Sequence, residues 1–264
     1  YKDMNILLTG ANGFLGTHLV DKIADKIGAA NELVRQHFEI NGYDDTKIYK
    51  LFTPRSYQLN CLEYRDLYHY CHSNNIDIII HLAAECGGIG INQRKPADFF
   101  LHNAQMSLNV LRVAHELSVK KLVTIGTVCS YPKNTPVPFK EEDLWNGYPE
   151  ETNAPYGLAK KNLLIGCQAF ASQYSSNFIH LIPVNMYGEH DHFSLEDSHV
   201  IPAMLRKFHE AKEAEDPSVT LWGDGSASRE FLYAGDCAEA IWKAVEAYNQ
   251  PDPINIGASK ETTI

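Results

Sequence analysis

Five apolar runs, "NILLTG", "KIYKLF", "IDIIIHLAA", "KLVTIG" and "FIHLIPV", recur along the first 184 residues. Between them, "FLGTHLVDKIADKI" and "NAQMSLNVLRVAHEL" carry apolar residues at helical spacing, and "PYGLAKKNLLIGCQAFASQY" reads as a third helix. A strand that is apolar at nearly every position must be covered on both faces. The alternation therefore predicts an α/β fold, a doubly wound parallel sheet with helices on either side. From about residue 186 the pattern breaks. "MYGEHDHFSLEDSHV" reads as a polar loop, and "VIPAMLRKFHEAKEA" as a further helix. The expected division is a cofactor-binding unit of residues 1–185 plus a return segment 230–258, and a smaller substrate unit of 186–229 plus 259–264. The last run, "INIGASKETTI", reads as a strand leading into another element, so a further C-terminal piece of the substrate unit is expected.

Composition narrows the function classes. Hydrophobic residues are 44% and charged residues 21% of the chain, the mix of an ordinary globule. A formal net charge of −10 argues against nucleic acid as the main partner. No apolar run approaches the length of a membrane span, and the start, "YKDMNILLTG", shows no signal-peptide pattern. Cysteines at 61, 71, 86, 129, 167 and 237 form no C-x-x-C pair, which points to free thiols in a reducing, cytoplasmic compartment. All but Cys129 read as structural.

After the first strand, "TGANGFLG" sets Gly10, Gly13 and Gly16 ahead of the first helix. Glycines there let backbone N–H groups of Asn12, Gly13, Phe14, Leu15 and Gly16 approach a pyrophosphate at a helix N-terminus. The second strand ends "LFTPRS", without the acid that holds a ribose 2′-hydroxyl. Arg55 can pair with a 2′-phosphate instead, which favours NADP (as NADPH) over NAD. The plain alternative for Arg55 is a solvated surface cation.

Tyr156 and Lys160, in "PYGLAKK", make Y-x-x-x-K. Residues i and i+4 share a helix face, so the ammonium can lower the phenol pKa and ready it for proton exchange with a carbonyl oxygen. With 14 tyrosines and 16 lysines, about one chance match is expected, and Tyr43/Lys47 is a second match. Only Tyr156 follows the "KLVTIGT" strand, whose end presents the Thr127 hydroxyl. Two residues on stands Cys129, in "GTVCSYPK". A strand-end cysteine is most often a small buried hydrophobe. Hydride transfer alone needs no thiol.

The segments "HLAAECGGIGINQRKPADFF", "GTVCSYPK", "PEETNAPYGLAKK", "PVNMYGEHDHF", "SHVIPAMLRKFHEA" and "LWGDGSASREFLY" together resemble the extended short-chain dehydrogenase/reductase family. The likeness is strongest to members that epimerise and then reduce a GDP-4-keto-6-deoxy sugar. It implies a Rossmann domain, a smaller nucleotide-sugar domain and a homodimer. It also implies roles: Cys129 as base and His199 as acid for epimerisation, then Tyr156, Thr127 and Lys160 for reduction at C4. The chemistry is apt, because a C4 ketone acidifies the C3 and C5 protons and inversion needs a base on one face and an acid on the other. The resemblance sets Lys207, Trp222 and Arg229 at nucleotide-binding positions and Asn185 with them. Arg206 is a further candidate for the diphosphate. Departures are Asn12, where the family usually has a basic residue, Thr127 for its serine, and Lys207 for its second arginine. "GGIG", Gly87 to Gly90, can approach either sugar or nicotinamide.

Three other readings keep part of this set: the same fold acting on a different 4-keto nucleotide sugar, an epimerase or dehydratase with recycled NAD, and a dinucleotide-sensing regulator. The regulator has no need of Tyr156, Lys160, Cys129 and His199 together. His190, Asp191, His192 and His199 suggest a metal cluster, but H-x-H is not a helical zinc pair and no cysteine motif joins it, so no metal is expected.

Overall fold

The computed structural model describes residues 4–26, 39–44, 47–195, 198–221 and 223–264, with side chains from residue 50 onward in the stretch after residue 26. Five strands are β1 (Met4–Thr9), β3 (Lys47–Phe52), β4 (Ile78–His81), β5 (Lys121–Ile125) and β6 (Phe178–Pro183). They coincide with the five apolar runs. With β2 (Glu39–Asp44) and β9 (Ile254–Ile256) they form a seven-stranded sheet, ordered β2-β3-β1-β4-β5-β6-β9. All neighbours are parallel except β2, which pairs antiparallel with β3 at the edge. Every residue of β4, β5 and β6 is buried, as two-sided coverage requires.

The strands sort their side chains with period two. Ile6, Leu8, Ile80, Val123 and Ile179 face α1 (Phe14–Lys26) and α7 (Ala234–Ala247), meeting Leu19, Ile23, Ile241 and Trp242. Leu7, Ile79, Leu122 and Phe178 face the other way, toward α2 (Tyr64–Ser73), α4 (Pro96–Glu116) and α5 (Ala154–Tyr174), where they meet Leu67, Met106, Val110 and Leu163. A short helix, α3 (Ile89–Arg94), precedes α4. Burying one Leu or Ile of this kind contributes about 1.5–3 kcal/mol, and both layers repeat it many times.

One row on the α5 side is polar. Thr9, His81, Thr124 and His180 are mutual register partners across β1, β4, β5 and β6, and all four are buried. Thr9 Oγ1 lies 2.8 Å from His81 Nδ1, and Thr124 Oγ1 lies 2.8 Å from His180 Nδ1. Thr124 donates its proton to the carbonyl of Ile179 (2.9 Å), so His180 Nδ1 is the donor to Thr124. The row satisfies its own polar groups, as a buried network must.

A second sheet, ordered β10-β8-β7, joins β7 (Asn185–Tyr187), β8 (Ser228–Tyr233) and β10 (Glu261–Thr263). From the expected return segment, β9 enters the large sheet and α7 packs on it, but β8 belongs to this smaller one. Between β7 and β8 runs α6 (Val200–Glu213). Among the described residues no helix is long and apolar enough to cross a membrane.

Candidate active site

The sheet order places the site. The chain runs from β1 outward to β3, then crosses back to β4 on the other side of β1. Ligands in open α/β sheets bind at such a reversal, beyond the carboxyl ends of the strands. Gly10 follows β1 with φ +73, and a Cβ there would come within 2.7 Å of Ala83 N, so β4 packs directly on the turn. A Cβ on Gly16 would overlap Gly10 O and lie 2.7 Å from Ala11 Cα. Packing thus accounts for two of the three glycines. Gly13 is different: it is exposed, and a Cβ there would meet only Gly10 O, at 3.3 Å. The open side of Gly13 and Asn12, at the start of α1, is where a pyrophosphate can approach backbone N–H groups. Phe14 is half-buried, while Leu15 and Gly16 are buried, so they contribute through the backbone. Arg55 is exposed just past β3, which pairs with β1, alongside this turn. The residues present fit a dinucleotide with a 2′-phosphate.

The catalytic candidates gather where β5 meets α5. Thr127 accepts a hydrogen bond from the backbone N–H of Cys129 (3.2 Å), which closes a 3-10 turn at Val128–Ser130. Ser130 donates to Gly157 O on α5 (2.9 Å). A Cβ on Gly157 would overlap the Cys129 carbonyl oxygen and lie 2.8 Å from its carbonyl carbon. The residue after Tyr156 is therefore glycine where the cysteine turn abuts the helix. We expect Gly157→Ala to lower exchange of substrate protons by at least about 10-fold. The overlap, about 1–3 kcal/mol, outweighs the roughly 1 kcal/mol gained from helix propensity, so thermal stability falls too. Unchanged exchange and a higher Tm would contradict this.

Tyr156 is half-buried and Lys160 buried, with Nζ 6.0 Å from the Tyr156 ring centroid. Burial draws Lys160 down to about 8. Burial also pushes the Tyr156 phenol well above its ordinary value, and the Cys86 and Cys129 thiols push the same way. This corrects the expectation of a lysine-lowered phenol: desolvation wins, and Tyr156 is held protonated. Burial likewise pushes the Cys129 thiol up, with Glu150 adding to it, against the Thr127 hydroxyl and the Arg229 charge. Cys129 thus rests as a thiol.

A second correction concerns Cys86. Read as structural, it is instead exposed, in the loop after β4, within electrostatic reach of Tyr156, Lys160 and Asp191. Its position past the carboxyl end of a central strand, just before "GGIG", was the available signal. That glycine run leads into α3, where Asn92 donates to Gly87 O (2.9 Å) and Gly88 O (3.0 Å). Cys61, Cys71, Cys167 and Cys237 are buried, as structural thiols are.

His199 stands at the N-cap of α6, exposed, with no side-chain capping bond. Asp191 lies within electrostatic reach of both His199 and Cys86. Of the substrate candidates, Asn185 Nδ2 donates to Glu230 O (3.3 Å), Lys207 Nζ to Thr220 O (3.3 Å), and Arg229 Nη1 to Ser228 O (2.7 Å). Arg229 is exposed and lies within electrostatic reach of Cys129. Arg206 is engaged with Glu210 (2.6 Å) and Phe193 O (2.9 Å), so it braces a loop. Trp222 lies outside the described residues. The chance match, Tyr43 and Lys47, falls on the antiparallel strands β2 and β3 rather than on one helix.

Comparison with known proteins agrees with this geometry. The chain is 35% identical over 263 residues to GDP-L-fucose synthase 1 of Arabidopsis thaliana, covering 100% of this chain and 75% of that protein. It is 38% identical over 216 residues to GDP-L-fucose synthase of Escherichia coli, covering 78% of this chain and 67% of the relative. Its fold superposes on the GDP-mannoheptose C4 reductase from Campylobacter jejuni with NADP bound at TM-score 0.83 and 27% identity, over 99% of this chain and 81% of that one. Residues 6–257 match the NAD dependent epimerase/dehydratase family, and the chain belongs to it.

Proposed function

We propose that the protein is an NADPH-dependent 3,5-epimerase/4-reductase that converts GDP-4-keto-6-deoxymannose, or a close GDP-linked relative, to GDP-L-fucose or its counterpart. One observation carries the reading: the Cys129 turn is packed on the first turn of the helix that bears Tyr156 and Lys160, with Ser130 bonded to Gly157 O at 2.9 Å. A reductase needs the phenol and the ammonium; only the epimerisation needs a thiol beside them.

In this reading Cys129 removes the C3 and C5 protons in turn, and His199 returns each from the opposite face. Thr127 and Arg229 favour the thiolate that the base step requires. Hydride to C4 is the chemistry NADPH supplies when bound. Tyr156, held protonated by burial, gives its proton to the oxygen at C4 as charge develops there. Thr127 supplies a hydrogen bond to the same oxygen. Lys160, with Nζ 6.0 Å from the Tyr156 ring centroid, sets a positive charge beside the phenol as it gives up its proton. Asn185, Lys207 and Arg229 line the path to the nucleotide, and residues 185–233 with 259–264 form the nucleotide-sugar unit.

The direct test is NADPH consumption with GDP-4-keto-6-deoxymannose. A folded, full-length protein that consumes none would remove this substrate. Arg55→Ala should raise the KM for NADPH by about 10-fold or more while leaving that for NADH nearly unchanged, because the loss is a charge-assisted phosphate contact. Equal effects on both cofactors would refute the Arg55 assignment.

We further infer a homodimer through α4 and α5, which leave Phe100, Leu101, Leu108 and Ile165 exposed. Free cysteines fit a reducing, cytoplasmic setting.

A further inference from the structure

Asp191 is the one carboxylate at the site whose geometry lacks an explanation. Its Oδ2 is buried and has no hydrogen-bond partner, while Oδ1 accepts the backbone N–H of His192 (2.7 Å). Leaving a carboxylate oxygen desolvated and unpaired is unfavourable by a kcal/mol or more, so the arrangement persists only where something else holds it.

The loop around it is held firmly. Glu189 accepts the Tyr233 hydroxyl proton (2.9 Å), and its carbonyl lies 2.9 Å from His18 Nε2. Four residues on from Glu189, Arg206 of α6 donates to Phe193 O (2.9 Å). Between these two clamps His190 adopts φ +68, a left-handed turn conformation that is uncommon for residues other than glycine but that histidine takes more readily than most. The clamps fix Asp191 in place. The charged and titratable groups that face it are His199 at the head of α6, His192 in its own loop and Cys86 from the loop after β4; of these the His192 backbone N–H acts on it most, and the His199 charge acts more than the His192 charge. His199 spends no side-chain bond on capping its helix.

We propose that Asp191 is a positioning residue for His199: Oδ2 accepts a hydrogen bond from the imidazole when the sugar nucleotide binds, fixing the ring in the orientation from which it delivers protons to C3 and C5. The inference rests on the reading of His199 as the epimerisation acid. It explains why an unfavourable buried oxygen is retained. It also separates a positioning role from a structural one, because removing the charge relieves the desolvation while it disables the acid.

The experiment compares wild type, Asp191→Asn, His199→Asn and the double variant. It reads deuterium uptake from solvent into C3 and C5 of GDP-4-keto-6-deoxymannose without NADPH, together with the thermal midpoint. We expect Asp191→Asn to lose about 10²-fold in exchange rate with KM within about two-fold, and to melt at or above the wild-type temperature. The double variant should be no slower than His199→Asn alone, since the two act as one unit. If His199→Asn is impaired while Asp191→Asn exchanges at the wild-type rate, or if the two losses multiply, the positioning role is wrong although the acid assignment stands. A lowered thermal midpoint in Asp191→Asn would also overturn it, as a structural role predicts that. If His199→Asn exchanges normally, the acid assignment fails and this proposal with it.

Discussion

Replacing Tyr156 with Phe is expected to reduce hydride transfer by about 10³-fold while solvent-proton exchange at C3 and C5 continues near the wild-type rate. The phenol is the group poised to neutralise the oxygen at C4, and its burial beside two thiols keeps it protonated. Exchange at C3 and C5 runs through an enolate that needs no net reduction, so it tolerates the loss of the full proton transfer. Cys129→Ser should give the mirror image: exchange falls below detection, because a serine hydroxyl is a far weaker base, while an already epimerised ketone is still reduced. The two variants change one atom each and leave the packing at Gly157 intact. Equal losses in both assays for both variants would mean that the thiol and the phenol do not serve separable steps.

The second large effect is on acid stability. His81 and His180 are both drawn down to about 3 by burial, with the Lys160 charge adding to it. Unfolded, each titrates near 6.5. The folded pKa lies below the unfolded one, so between these values the unfolded chain binds more protons. Stability is therefore complete above about pH 6.5 and is lost as pH falls through that window. Each histidine contributes up to about 1.4 kcal/mol per pH unit, so the pair removes about 3 kcal/mol per unit below pH 6, against a total stability of about 5–15 kcal/mol. Urea midpoints measured from pH 7 to pH 5 should show this slope, and His81→Gln or His180→Gln should remove about half of it. A slope unchanged in both variants would show that the Thr9–His81–Thr124–His180 row does not govern acid unfolding.

Much of the molecule was legible in its residues, for reasons that can be named. The five apolar strands declared themselves because two-sided burial keeps most of their positions apolar, and α1, α4 and α5 because one face repeats every three to four residues. The edge strand β2 did not, since "EINGYD" pairs with one neighbouring strand only among the described residues and carries no alternating apolar pattern. The helix α2 is crowded with polar and aromatic residues and buries only Leu67 and Cys71, so its periodicity is faint. At the site, residue types pointed to Tyr156, Lys160, Cys129 and Thr127, which chemistry ties to a motif. Their protonation was not legible. Whether lysine or burial dominates the phenol depends on how much protein surrounds it, and spacing along the chain does not carry that. Cys86, read as structural, and Asp191, weighed only as part of a metal cluster, become informative through neighbours distant in sequence.

The central claim is that one recess inverts two stereocentres and then reduces the adjacent ketone. It is tested most directly by running the complete reaction in deuterium oxide, with NADPH and GDP-4-keto-6-deoxymannose, and weighing the product. The account predicts a reduced sugar nucleotide carrying solvent deuterium at both C3 and C5. A product reduced at C4 with no solvent deuterium at either carbon would identify a simple ketone reductase and contradict it.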